Sequence, residues 1–287
     1  MLGLGSVLSA KPNMSKRPGS VVTNGENADH INSAPSCIAI PDVGDIFRDN
    51  YTLSFWFKAI NADFEAGSAT SLFGWQGAKS TRMRISASLR KGRDNNDITL
   101  QFSQSSGLGF ISFTGDVENF TDADNREGIW HQLTICMRRS FLTQLGNFRS
   151  CQVYLDGTPL SCRSNMTDAH LANYHQAPAL TFGNINFSEG GENSFGSQNG
   201  TGRAFKFANI AIWNNDLSDN ICANDLYRNG SGVNAEHKYK EYLVRYYKMN
   251  EGSKEILKCS VGGADATIYN ARWDVDNPQT SKGKLRG

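Results

Sequence analysis

The sequence predicts an all-β, two-sheet antiparallel sandwich with one short helix. Three observations predict it. Runs rich in aromatic and β-branched residues recur along the chain, several alternate between apolar and polar positions, and Asn-Gly, Asp-Gly and Gly-Gly pairs punctuate them, with 28 glycines against 7 prolines. A half-buried strand needs that period of two, because successive side chains point to opposite faces of the sheet.

In chain order, "YTLSFWFKA" puts Tyr51, Leu53, Phe55 and Phe57 on one face and Thr52, Ser54 and Trp56 on the other. "RMRISASL", "DITLQFS" and "GFISFTG" continue as strands separated by polar turns. In "IWHQLTICMRR" the residues Trp130, Leu133, Ile135 and Met137 alternate imperfectly against Ile129, Gln132, Thr134, Cys136 and Arg138, and a slip between residues 130 and 133 marks a bulge or the start of the strand.

"CQVYLDGTPLSC" reads as a hairpin on an Asp156-Gly157 type I′ turn, with Leu155 facing Thr158, Tyr154 facing Pro159, Val153 facing Leu160 and Cys151 facing Cys162. Pro159 then falls at a non-hydrogen-bonded pair, where its missing N–H is no loss. Cys151, Val153, Leu155, Leu160 and Cys162 share the apolar face. Their alpha carbons would lie about 5.5 Å apart, which permits a Cys151–Cys162 disulfide without demanding it.

Residues 163–177 read as a loop, and "ALTFGNI" and "AFKFANIAIW" as strands, the second apolar on both faces and so covered on both. Ser218 can cap a short helix, "DNICANDLYRNG", with Ile221, Leu226, Cys222 and Tyr227 inward and Asn229-Gly230 at its end. "YLVRYYKMN" and "ATIYNARWDV" close the fold as two strands. Residues 1–20 then form an N-terminal arm, 21–275 the domain and 276–287 a C-terminal tail. No strict internal repeat is present.

At 287 residues the chain can bury a sizeable core, and its net charge of +1 with 20% charged residues argues against nucleic acid as a partner. No stretch approaches the roughly 18–20 apolar residues of a membrane span. The N-terminus "MLGLGSVLSAKPNMSKRPGS" lacks a basic n-region and does not read as a signal peptide, so synthesis in a host cytoplasm is expected. The six cysteines (Cys37, Cys136, Cys151, Cys162, Cys222 and Cys259) show no CxxC and no zinc-like cluster, and reduced, buried thiols are the default. Sequons, among them those at Asn13, Asn119, Asn165, Asn186, Asn199 and Asn229, go unused without secretion.

The order of segments carries a resemblance. "YTLSFWFKA", "GIWHQLTICMRRS", "CQVYLDGTPL", "ALTFGN" and "FKFANIAIWNNDLSDNICANDLYRNG" resemble, in that order, the F-x-W strand, W-H strand, Y-x-D-G hairpin, I-G strand end and helix-preceding turn of the laminin G-like, concanavalin A-like lectin/glucanase jelly rolls. The match covers roughly residues 20–250. It implies a two-sheet jelly-roll sandwich and says little about function, since that scaffold hosts lectins, hydrolases and structural modules. A narrower resemblance, of "MLGLGSVLS", "SVVTNGENADHI", "IPDVGDIFRDNYTLSFWFK" and "LVRYYKMNEGS", is to laminin G-like structural proteins of tailed, particularly marine, bacteriophages. It implies a virion component, such as a capsid decoration, fibre or tail-associated protein, that binds other virion proteins and forms a homo-oligomer.

Glucanases on this scaffold carry a strand resembling E-x-D-x-x-E, and glycoside hydrolysis needs two carboxyls flanking the bond. This chain has no such motif, no G-x-S-x-G and no HExxH, so a noncatalytic role is expected. His131 beside Trp130 reads as structural. Related lectin-like modules hold calcium at a rim, and Asp94, Asp97, Asp122 and Asp124 are the residues that could supply hard oxygens, though their spacing matches no dedicated calcium loop. Trp75 in "FGWQGAKS" and Tyr174 in "ANYHQ" could serve as stacking platforms for a host-surface glycan. Three functions stand in order: a noncatalytic virion structural protein, a glycan-binding adhesin, and a polysaccharide hydrolase.

Overall fold

The computed structural model describes residues 19–23, 37–44, 46, 49–60, 69–76, 85–91, 97–104, 110–116, 129–140, 148–164, 179–183, 204–218, 225–227, 235–252, 255–269, 271–276 and 278. Along them run β1 (Ser20–Thr23), β2 (Cys37–Pro41), β3 (Tyr51–Ile60), β4 (Ala69–Gln76), β5 (Ile85–Lys91), β6 (Asp97–Gln104), β7 (Phe110–Asp116) and β8 (His131–Ser140). The second half adds β9 (Phe148–Leu155), β10 (Thr158–Pro159), β11 (Ser161–Ser164), β12 (Ala179–Gly183) and β13 (Ala204–Trp213). It ends with β14 (Leu243–Tyr247), β15 (Ile256–Leu257), β16 (Ala266–Tyr269) and β17 (Arg272–Asp274). Residues 225–227 form a helical turn, and Ala235–His237 and Lys240–Tyr242 are 3₁₀ turns.

The strands form two antiparallel sheets. The first runs β10-β9-β8-β3-β13-β1-β17, with β14 also on β13, and the second runs β11-β7-β6-β5-β4-β12-β2-β16-β15. This is the all-β sandwich the sequence predicts. Of the terminal arms expected at 1–20 and 276–287, residues 1–18, 277 and 279–287 lie outside the described residues, while Ser20 is already the first residue of β1.

Between the sheets lies one apolar core. The first sheet contributes Tyr51, Leu53, Phe55 and Phe57 of β3, Leu133, Ile135 and Met137 of β8, and Phe205, Phe207, Ile210 and Ile212 of β13. Facing them are Ile38 and Ile40 of β2, Phe73 of β4, Leu180 and Phe182 of β12, and Ile268 of β16. Phe55 sits at the junction, its ring centroid 4.9 Å from Phe182 and 5.4 Å from Phe73, both edge-on, as aromatic quadrupoles prefer.

One residue resets the face of β13. Asn209 lies at φ 49° in a bulge where the pairing with β3 slips between Ala208 and Ala211, so Phe205 and Phe207 before it and Ile210 and Ile212 after it all reach the core. Lys206, Ala208, Ala211 and Trp213 take the outer face and are buried there too. Both faces of β13 are therefore covered, as its composition requires.

Two expectations change, and one alternative is decided. The hairpin opens as predicted, with Asp156 at φ 51°, Gly157 at φ 77°, Leu155 opposite Thr158, Tyr154 opposite Pro159, and Leu160 N–H donating to Val153 C=O at 2.8 Å. It does not extend to the cysteines. After Leu160 the chain crosses to the second sheet, where Cys162 stands opposite Phe113 of β7, while Cys151 stands opposite Met137 of β8 in the first. Cys151 and Cys162 are thus not cross-strand partners. "ATIYNARWDV", read as one strand, is two: β16 pairs with β2 in the second sheet, and β17 with β1 in the first. The slip at residues 130–133 is the start of β8, with Trp130 just before the strand on the outer face of the first sheet.

Gly183 ends β12 at φ +89°, and a Cβ there would meet the Thr23 side chain at 2.7 Å. The ends of β1 and β12 come together on that glycine.

Candidate functional site

The second sheet sorts the residues singled out in the sequence to opposite ends. Trp75 is the penultimate residue of β4, opposite Leu180 of β12 and Ile85 of β5. Its neighbour Gln76 pairs with Ala179, the first residue of β12, and Tyr174 precedes Ala179 by five positions in the connecting segment. Trp75, a candidate stacking platform, thus lies within strand β4 near the end where β12 begins; Tyr174 lies outside the described residues.

Of the acidic candidates, Asp97 lies at the other end. Asp97 opens β6 opposite Asp116, the last residue of β7. Asp94 precedes Asp97 by three positions, and Asp122 and Asp124 follow Asp116 by six and eight; these three lie outside the described residues. The seven residues of β5 separate the two ends by about 20 Å at about 3.3 Å per residue. Among the described residues no three His, Cys, Asp or Glu side chains are grouped to hold a metal ion.

The chain itself covers the outer face of the first sheet. Trp213, Leu217, Leu226, Ala235, Leu243 and Tyr246 form one apolar cluster there, and Trp56, Trp130 and Ala208, with Tyr227 packed on them, form another. A covering segment without regular pairing must still satisfy its buried backbone groups. Side chains of the sheet do so. Thr52 Oγ1 donates to Asn215 C=O at 2.8 Å and accepts from Leu217 N–H at 2.9 Å. Gln132 Nε2 donates to Leu226 C=O at 3.3 Å, Trp213 Nε1 to Lys238 C=O at 3.3 Å, and the Tyr154 hydroxyl to Ser218 C=O.

Two polar clusters anchor the first sheet, one at the hairpin and one on its outer face. At the hairpin, Asp156 Oδ2 lies 2.7 Å from His131 Nδ1, and Oδ1 accepts Gln132 N–H at 2.8 Å. His131 is 1% exposed, out of reach of a substrate, so the pair ties the Asp-Gly turn to the start of β8. The second cluster was not found from sequence. Lys58 of β3 and Lys206 of β13 are direct register partners, 9% and 5% exposed. Like charges opposite each other repel, and buried charges require partners. Asp276 Oδ2 lies 2.8 Å from Lys58 Nζ and 3.2 Å from Lys206 Nζ, and Asp274 Oδ2 lies 3.0 Å from Lys206 Nζ. Trp130 Nε1 donates to Asp276 Oδ1 at 3.3 Å, and Ser20 Oγ to Asp276 C=O at 2.6 Å.

Desolvation alone would raise the Asp274 carboxyl pKa. The Asp276 N–H and the Lys206 ammonium outweigh it and hold the group below the usual carboxylate range. The one sequence signal was Lys206 in β13, a strand otherwise apolar on both faces; Lys58 lies in the alternating strand β3. Asp276, placed first in the tail by the sequence reading, is bound to the sheet.

Comparison with protein-family profiles and with curated protein sequences finds no match. Solved structures do resemble the chain. A candidate carbohydrate-binding protein from Bacteroides ovatus superposes with a TM-score of 0.50 at 13% identity, over 90% of this chain and 60% of that one. The binding domain of botulinum neurotoxin serotype D/C VPI 5993 gives 0.45 at 13%, over 73% and 42%. NanB sialidase of Streptococcus pneumoniae gives 0.43 at 14%, over 71% and 27%. The chain thus spans well under two thirds of each of these proteins. At such identities the likeness is one of fold, and it agrees with the lectin-like sandwich.

Proposed function

We propose that the chain is a noncatalytic, lectin-like carbohydrate-binding module whose site lies at the Trp75 end of the second sheet. The observation that supports this reading is the fold likeness, over 90% of the chain, to the candidate carbohydrate-binding protein of Bacteroides ovatus. Two features support the Trp75 end. The outer face of the first sheet is filled by the chain's own covering layer, and Gln76 beside Trp75 pairs with Ala179, five positions after Tyr174 in sequence. An aromatic ring beside polar groups is what sugar recognition uses, the ring taking the apolar C–H face of the pyranose and the polar groups its hydroxyls.

A glycan array tests the proposal with the wild-type chain, Trp75→Ala and Tyr174→Ala, each with and without chelator. The expected result is binding to a restricted set of glycans, weakened at least tenfold in both variants and unchanged by chelator, because the acidic segments leave from the opposite end. Binding to no glycan under any condition would overturn it.

The virion setting, with its partner proteins, homo-oligomer and location in a tailed phage particle, rests on the sequence resemblance alone. The fold likeness favours the carbohydrate reading. Mass spectrometry of purified particles would test that setting separately, since an adhesin on a virion would satisfy both.

A further inference from the structure

We propose that Lys58, Lys206, Trp130 and Ser20 form a carboxylate-binding site on the outer face of the first sheet, filled in this structure by the chain's own Asp276. The inference is independent of the carbohydrate reading.

The geometry is that of a receptor for a planar anion. One carboxylate oxygen lies within 2.8 Å and 3.2 Å of two ammonium groups, the other accepts an indole N–H at 3.3 Å, and a serine hydroxyl holds the carbonyl of the same residue. Charge-assisted bonds of this kind are the strong ones, and here they come from side chains on three separated stretches, β1, β3 and β13, plus the residue before β8. The two lysines are fixed by the sheet register, whereas Asp276 arrives from beyond the three-residue strand β17, with Val275 before it 82% exposed. The side chain of Asp276 keeps 22% of its surface, so the site faces solvent on one side. The lysines are scaffold and the aspartate is a tethered ligand.

A tether makes occupancy intramolecular, which raises the effective concentration of the built-in carboxylate far above that of a dilute competitor. An external carboxylate should enter only when the segment from residue 276 is displaced or its acid removed. Two sources share the chemistry: a free small carboxylate and a uronic-type acid on a glycan. Asp274 remains near Lys206 in either case, its Oδ2 3.0 Å from the ammonium.

The test uses the full chain carrying Asp276→Ala. Its melting temperature should fall by roughly 5–10 °C. Acetate and glucuronate should each restore it saturably, relative to chloride at equal ionic strength, while glucuronate methyl ester should not. The wild type should show no carboxylate-specific shift, and Lys58→Ala in the Asp276→Ala background should abolish the rescue. Rescue by acetate but not glucuronate would confine the site to free carboxylates. If Asp276→Ala does not fold, Asp276→Asn, which keeps the shape and removes the charge, is titrated calorimetrically with glucuronate. Stabilisation by chloride equal to that by carboxylate, or no carboxylate heat in the asparagine variant, would overturn the proposal.

Discussion

The two faces of the first sheet are buried by different physics. On the inner face, Phe55, Phe57, Phe205 and Phe207 meet the second sheet through aromatic and aliphatic surface. On the outer face, Thr52, Gln132, Tyr154, Lys58 and Lys206 are buried as deeply but each holds a named polar partner. The inner face is held by non-directional burial; the outer face depends on pairings that pH and single-atom changes can break. Burial alone therefore does not say how a residue contributes.

The largest expected effect lies on the inner face. Phe55→Ala should cost about 3–5 kcal/mol, because it removes the ring that contacts both sheets and leaves a cavity the neighbours cannot fill. Urea denaturation should show that loss nearly unchanged between pH 5 and pH 8. Similar losses at both pH values would confirm that no charge is involved.

Next in size is Lys206→Met, expected to cost about 2 kcal/mol near neutral pH by leaving Asp274 without its ammonium. The pH dependence has a definite sign. The Asp274 carboxyl titrates lower folded than unfolded, so the unfolded chain takes up protons first as pH falls. The contribution of this group is complete above its unfolded pKa and disappears as pH drops through the lowered folded value. The Lys206→Met penalty should therefore shrink below about pH 4. A penalty constant from pH 7 to pH 3 would show that packing of the lysine stem, rather than charge, sets it.

The hairpin gives a smaller effect. Asp156→Ala should cost about 1–2 kcal/mol by losing the His131 and Gln132 bonds and placing alanine at φ 51°. Asp156→Asn, which keeps an acceptor and tolerates that backbone, should recover most of it. Smallest is Tyr154→Phe, at about 1 kcal/mol, from the lost bond to Ser218 C=O. Chemical denaturation of the variants checks both.

Cys37 sharpens the same contrast through reactivity. Burial pushes its thiol up to about 12, so it should resist a thiol reagent at pH 8 until the protein unfolds. A thiol count on denatured, unreduced protein would also decide whether Cys151 and Cys162 are oxidised, a question their placement in different sheets now separates from the hairpin.

Much of the sandwich was legible because local and global signals agree. The strict alternation in "YTLSFWFKA" and the Asp-Gly turn each specify one answer, and the structure has it. Sheet membership was not legible. Nothing in the spacing of "CQVYLDGTPLSC" says that pairing stops after Leu160, and "ATIYNARWDV" carries no turn residue strong enough to mark the crossing from β16 to β17. Both crossings are decided by which partner strand lies alongside, which is tertiary information. The Trp75 end was half legible: the aromatic residue was visible, but its place inside β4 depended on pairing with β12. The lysine cluster was missed because each lysine looked like an ordinary surface residue of its own strand, and only the register of β3 with β13 sets them side by side.

The central claim is that the chain closes the outer face of its first sheet on itself and meets a glycan at the Trp75 end of the second. Photo-crosslinking of an array-positive glycan, followed by peptide mapping, tests it most directly. The account predicts label in β4 or in residues 77–84 and 165–178 that flank that end. Label concentrated in residues 214–242, the layer over the first sheet, would contradict it.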